Sequence, residues 1–526
     1  MVERVTILDT TLRDGSQMEG ISFSAIDKLR IAQRLDELGV AYIEGGWPGS
    51  NPKDVEFFQR VRDLGLQSAR VAAFASTRRA KIAVEDDPSI RALLEARTPV
   101  TVIVGKASPM HVKEVLATTP DENLAMIRDT VAYLKATGLE VIFDAEHFFD
   151  GYRLDAEYAL ATARAAAEAG ADIVVLCDTN GGVLPGEVSR VVTTVREALP
   201  GVALGIHAHD DTGVAVANTL VAVEAGAVHV QGTMNGYGER CGNANLCTVI
   251  PNLQLKMGVQ ALANGDLARL TEVSHYISEV ANLRPADQDP YVGRSAFAHK
   301  AGLHVNALMK AIDSYQHMDP ALVGNKMRIL VSELAGRSNI AHKLSELALE
   351  VELDADEVRR IADRLKHLES RGFQFEGADG SFELLVRRSQ PGYSAPFEVL
   401  DFIVLVEKRS ENGILAEATV KARVDGTIMH TAAEGDGPVH ALDRAMRKAL
   451  LPFYPELDRV QLTDYKVRIL DEKAATAALT RVLIDASDGE HSWTTVGSSV
   501  NIIEASFQAL LDSLELPLLR RTSPQG

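Results

Sequence analysis

The chain has 526 residues, more than one hydrophobic core normally organises, so two or three domains are expected. Its formal net charge of −19 argues against nucleic acid as a partner, because an acidic surface repels phosphate. Its three cysteines, Cys177, Cys241 and Cys247, make no disulfide framework, no apolar run approaches the roughly 20 residues of a membrane span, and no signal-peptide pattern opens the chain, so a cytoplasmic protein with no membrane association is expected.

Over residues 1–270, short β-branched runs alternate with longer amphipathic stretches. Eight runs read as strands: VTILDT, VAYIEGGWP, ARVAAFAS, VTVIVGKAS, EVIFDAEHF, IVVLCDTNG, VALGIHAHD and VHVQGTMNG. They are continuously apolar, as strands buried on both faces should be. Between them lie helical patterns such as SAIDKLRIAQRLDELG, which stops at a glycine. Eight strand–helix alternations predict a TIM (β/α)8 barrel. Residues 271–390 read as a helical connector. Residues 391–520 read as a duplicated α+β domain, because a strands-then-helix texture recurs and aligning Val439 with Val500 puts Leu442 on Ile503.

In such a barrel the active site lies at the carboxyl ends of the strands. The polar residues just past each run are therefore the candidates. They include Asp9, Arg13, Asp14 and Gln17 after the first strand and Glu44 after the second. Asp144 and Glu146 end the fifth, Thr179 follows the sixth, and His207 and His209 end the seventh. Glu239 and Asn243 follow the eighth. His207 and His209 are two apart on one strand, so both imidazoles face one side and can share a metal with Asp14. Two histidines and one carboxylate leave open positions on an octahedral ion such as Mg, Mn, Zn or Co. Arg13 suits an oxyanion formed when a ketone is attacked, or else an ion pair with Glu44 or Asp9. Glu146 is either a proton acceptor or a carboxylate that orients a ligand. Thr179 suits a substrate carboxylate or a simple turn. Asn243 either completes a metal shell or caps the helix that starts near Asn245. The glycines of NGYGERCGNANL, Gly238 among them, permit close backbone approach to a phosphate or a tight turn. Cys177 and Cys247 read as packing residues. His299 and His304 lie in a stretch that reads as helical, with Tyr315 shortly after.

Together LDTTLRDGSQ, HAHDDTGVAVAN and NGYGERCGNANL resemble the acyl-CoA-condensing branch of the DRE-TIM metallolyases, which holds the 2-isopropylmalate, homocitrate and citramalate synthases. GDGPVHALDRAMRKAL and TVGSSVNIIEASFQAL are similar to the C-terminal regulatory domain of the isopropylmalate and citramalate synthases. The resemblance implies a divalent metal on Asp14, His207 and His209 with Asn243 nearby, and acetyl-CoA as co-substrate. It gives Arg13 the keto oxygen, Thr179 the keto-acid carboxylate, and Glu146 the place of the active-site glutamate. His304 and Tyr315 match residues that reach into the partner subunit's site, which implies a homodimer. Either Glu146 or His304 then serves as base. Asp210, Asp144 and the EGGWPGSNPKD segment depart from the isopropylmalate synthase pattern toward that of the longer (R)-citramalate synthases. This implies pyruvate as acceptor and isoleucine as feedback effector. A carboxylate at position 144 beside a second, substrate carboxylate requires a cation between them.

Overall fold

The computed structural model describes residues 2–522 except 264–266, 301, 312–313, 331–339, 341–342, 345–353, 376, 410–412 and 471–477. Among the described residues the chain forms two compact units. Residues 1–297 with 318–327 make the first, and residues 298–317 with 328–526 make the second.

The first unit is a closed eight-stranded parallel barrel, as the alternation predicts. Its strands are β1 (Thr6–Asp9), β2 (Tyr42–Glu44), β3 (Arg70–Ser76), β4 (Val100–Lys106), β5 (Glu140–Glu146), β6 (Ile173–Asp178), β7 (Ala203–Ala208) and β8 (His229–Gly232). β1 pairs with β8 as well as with β2, which closes the sheet and removes its edges. The strand alternation sorts side chains between two cores. Leu8, Tyr42, Val102, Ile142 and Val175 pack together inside the barrel. Their neighbours Ile7, Ile43, Ile103, Phe143 and Val174 belong to the layer between strands and helices. The first helix, Ala25–Leu38, starts on a reciprocal Ser24–Asp27 capping box and buries Leu29, Ile31, Ala32, Leu35 and Leu38.

The second unit begins with β9 (Ala298–His299), which pairs in parallel with β10 (Arg328–Ile329). His299 is thus on a strand, although its surroundings read as helical; His304 lies in the helix Gly302–Lys310. Within the stretch that reads as a helical connector, a helix is described from Ala355 to Ser370. The duplication is explicit. β11 (Phe397–Arg409), β12 (Gly413–Val424) and β13 (Thr427–Gly435) form an antiparallel sheet followed by the helix Pro438–Leu450. β14 (Gln461–Ile469), β15 (Thr480–Ser487) and β16 (Ser492–Ser499) repeat it before the helix Ile502–Thr522. Sequence reading overlooked β13, whose residues are mostly exposed or half-buried and so carry little apolar signal.

Candidate active site

The polar residues at the strand ends converge on one cavity of about 550 Å³, whose wall includes Arg13, Asp14, Gln17, Asp144, Glu146, Thr179, His207, His209 and Glu239. Asp14, His207 and His209 are all buried, and one ligand atom from each lies within 4.8 Å of the others. His207 Nε2 is 3.3 Å from Asp14 Oδ2 and 3.4 Å from His209 Nε2. Burial and the neighbouring His207 hold the His209 imidazole down to about 4, so it stays neutral, as a metal ligand must. Burial opposes the charge on Asp14, yet the neighbouring Arg13 holds its carboxyl well below the usual carboxylate range.

Asn243 joins this cluster through the glycine-rich loop. After β8 the chain doubles back, so that Asp210 N–H donates to Gly242 O (2.9 Å), Ala244 N–H donates to Ala208 O (2.9 Å), and Asn243 bridges to His209. Gly242 has φ +91°, and a Cβ there would lie 1.9 Å from Gly236 O. A Cβ on Gly238 would lie 2.2 Å from Asn243 Nδ2. The glycines therefore let the loop close around Asn243, and Gly238 packs behind that residue instead of lining the cavity. Asn245, not Asn243, caps the helix Leu246–Pro251. Asn243 Nδ2 donates to Tyr237 O (3.0 Å), while its buried Oδ1 has no partner among the described residues. Asn243 pairs through its backbone with His209, and an open buried amide oxygen, two imidazoles and a carboxylate are donor types that a divalent cation fits.

Arg13 is fixed on two sides. Its Nε donates to Glu44 Oε2 (2.7 Å), and its guanidinium lies over the Phe74 ring, 4.1 Å from the centroid. Nη1 stays 3.4 Å from Asp14 Oδ2. Asp9, the other expected partner, instead accepts from the Thr11 amide and hydroxyl, each at 2.9 Å. Lys106 and Glu146 are register partners on β4 and β5, and their side chains form an ion pair. Thr179 Oγ1 accepts from the His147 amide (2.8 Å), which leaves its own proton available to a ligand. Asp144 does not stand alone: its Oδ1 accepts from Gln231 Nε2 (2.8 Å). Burial, reinforced by the charge of Glu44, pushes its carboxyl up to about 7.

Several lining residues escaped sequence reading. Cys177 packs in the barrel-interior cluster, as expected, and also borders the cavity. Phe74, Arg78, Arg79 and Lys106, which no strand-end reading named, line it beside Trp47 from the end of the second strand. Arg78 pairs with Glu122 and Asp129, and Arg79 is exposed at the rim. Gln231 was legible as a polar residue inside an apolar strand. His304 and Tyr315 belong to the second unit, where their rings stack with centroids 4.1 Å apart.

Three family models match the chain. HMGL-like covers residues 4–277, the homocitrate synthase post-HMGL domain-like family covers 291–372, and the LeuA allosteric (dimerisation) domain covers 376–517. The chain is 51% identical over 521 residues to an (R)-citramalate synthase of Aquifex aeolicus, covering 99% of each chain. It is 53% identical over 516 residues to an (R)-citramalate synthase of Streptomyces coelicolor, covering 98% of this chain and 96% of the other. A 2-isopropylmalate synthase of Methanocaldococcus jannaschii is 31% identical over 521 residues, covering 99% of this chain and 96% of the other. At this identity and coverage, the chain belongs to the (R)-citramalate synthase family.

Proposed function

We propose that the chain condenses acetyl-CoA with pyruvate and water to (R)-citramalate and CoA, as an acyltransferase on the pyruvate route to isoleucine. The observation that carries this reading is the convergence of Arg13 with Asp14, His207 and His209 in one cavity.

Asp14, His207 and His209 would hold a divalent cation, with Asn243 Oδ1 beside them. When bound, the ion supplies Lewis-acid polarisation of the keto acid. The chain's own residues do the rest. Thr179 donates its hydroxyl proton to the acid's carboxylate. Arg13, clamped by Glu44 and Phe74, presents its remaining N–H groups to the keto oxygen and stabilises the alkoxide that forms when the carbonyl is attacked. Glu146 or His304 takes a proton from the methyl group of acetyl-CoA, and the resulting enolate carbon bonds to the keto carbon of pyruvate. Water then cleaves the thioester and CoA leaves as the thiol. Arg79, exposed at the rim, suits a phosphate of CoA, and Gln17 and Glu239 complete the wall around the substrates.

The second unit serves assembly and regulation in this reading. Ile403, Leu405, Ile414 and Ile428 are more than half exposed on the β11–β13 sheet, which supports pairing of two chains into a homodimer. His304 and Tyr315 then reach the site of the other subunit, and isoleucine binds the duplicated domain as end-product inhibitor.

Product analysis tests the proposal. Incubation with acetyl-CoA, pyruvate and a divalent metal yields (R)-citramalate by chiral chromatography. Solvent deuterium exchange into acetyl-CoA assigns the base: the Glu146→Gln or the His304→Gln variant loses exchange. Absence of citramalate from a folded, metal-loaded protein contradicts the reading.

A further inference from the structure

Gln231 lies in the barrel interior, 1% exposed, and hydrogen-bonds on opposite sides. On β8 it is the register partner of His207 on β7, and its Oε1 is 2.8 Å from His207 Nδ1. Its Nε2 reaches across the barrel and donates to Asp144 Oδ1 on β5 at 2.8 Å. A primary amide in this place has two orientations, and Asp144 selects one. Once Asp144 is ionised, its carboxylate oxygen accepts the N–H and would be repelled by the amide oxygen. Oε1 therefore faces His207. Because Oε1 can only accept, Nδ1 of His207 must carry the proton. In a neutral imidazole the lone pair then sits on Nε2, the atom that faces Asp14 and His209.

We propose that Asp144 and Gln231 form a positioning relay that fixes His207 in its Nδ1–H tautomer and thereby keeps Nε2 open as a metal ligand. The inference rests on reading Asp14, His207 and His209 as the metal site. It gives Asp144 a role apart from contact with the keto acid: it orients an amide that orients a histidine. The arrangement is longer by one residue than a carboxylate bonded directly to a ligating imidazole, and it acts by the same logic.

The test measures metal affinity of the full-length, metal-stripped protein, by titrating zinc against a chromophoric chelator. Gln231→Leu removes the acceptor of His207 and is expected to weaken zinc binding roughly 10–100-fold. Asp144→Ala frees the amide to turn and weakens binding about tenfold, whereas Asp144→Asn keeps an acceptor oxygen and stays within about threefold of the unsubstituted protein. Zinc affinity unchanged in both Gln231→Leu and Asp144→Ala overturns the relay. An unsubstituted protein that binds no zinc overturns the metal site itself, and the relay with it. Nitrogen-15 NMR of the unsubstituted protein above pH 8, with His207 assigned by its loss in His207→Asn, gives a second reading that needs no relay variant to fold. A proton on Nδ1 is expected, and a neutral ring protonated on Nε2 contradicts the inference.

Discussion

The His147 backbone amide donates to Thr179 Oγ1 at 2.8 Å, so a residue at the end of β5 orients a hydroxyl at the end of β6. His147 does this from the left-handed region, with φ 57° and ψ 34°. Its ring stacks on His111, with centroids 3.7 Å apart, and its Nδ1 lies 3.3 Å from Asp150 Oδ2. A left-handed histidine is costly unless its surroundings hold it, and here a stack and a carboxylate do so.

Removing the Thr179 hydroxyl should therefore strike binding of the keto acid. Thr179→Val is expected to raise the KM for pyruvate about 10–100-fold, the worth of roughly 1.5–3 kcal/mol for a hydrogen bond to a charged group. Thr179→Ser should recover most of it. Steady-state kinetics check this, and an unchanged pyruvate KM in Thr179→Val would remove Thr179 from the site.

His209 lies in the buried cluster with its ring nitrogen facing His207. His209→Ala should bind less than about a tenth of the divalent metal held by the unsubstituted protein and lose activity by at least 10²-fold, because one of the three protein ligands is gone. Elemental analysis after dialysis measures the first and CoA release the second. Full metal content in His209→Ala would mean that the ion sits elsewhere.

His229 points into the barrel from β8 and is fully buried beside Tyr42, its Nδ1 2.9 Å from Thr6 Oγ1. Burial alone lowers its imidazole from 6.5 to about 3. Between those values the unfolded chain takes up a proton that the folded chain refuses. Stability therefore falls as pH drops from about 6.5 toward 3, by up to about 1.4 kcal/mol per unit. His229→Gln should flatten this slope, as read from unfolding midpoints at several pH values. Parallel slopes in the two proteins would show that His229 contributes nothing.

In the second unit Arg388 ties together two acids of one helix, at 2.8 Å from Asp512 and 2.5 Å from Glu515. Asp512 also accepts from Ser381 (2.6 Å), and Glu515 accepts from Tyr393 (2.7 Å). Arg388→Met leaves both carboxylates facing each other without their cation. Destabilisation on the order of 2 kcal/mol is expected, less than for a fully buried pair because Arg388 is 37% exposed. Denaturant unfolding of the full chain checks it, and a midpoint unmoved by the substitution would mean that solvent replaces the arginine.

The barrel was legible because its signal is repetitive. Eight apolar runs and the helices between them repeat one pattern, and the rule that sites lie at strand ends turned that pattern into a residue set. His207 and His209 followed from their spacing on one strand, and Asp14 from its place just past the first strand in LDTTLRDGSQ. The relations that give these residues their surroundings are of another kind. Arg13 on Phe74, Lys106 with Glu146, and Gln231 between His207 and Asp144 all join residues from different strands, and sequence distance says nothing of barrel register. The glycine-rich loop was read as a place for phosphate or a turn, and its function of wrapping Asn243 appears only when Ala244 is seen bonded to Ala208. β13 was lost because an exposed strand lacks the apolar alternation by which strands are found.

The most direct test of the central claim is CoA thiol release from acetyl-CoA with a panel of α-keto acids, each with added divalent metal and with chelator. Metal-dependent citramalate synthesis predicts release that is strongest with pyruvate and abolished by chelator. Preference for 2-oxoisovalerate, or release that chelator leaves untouched, would contradict it.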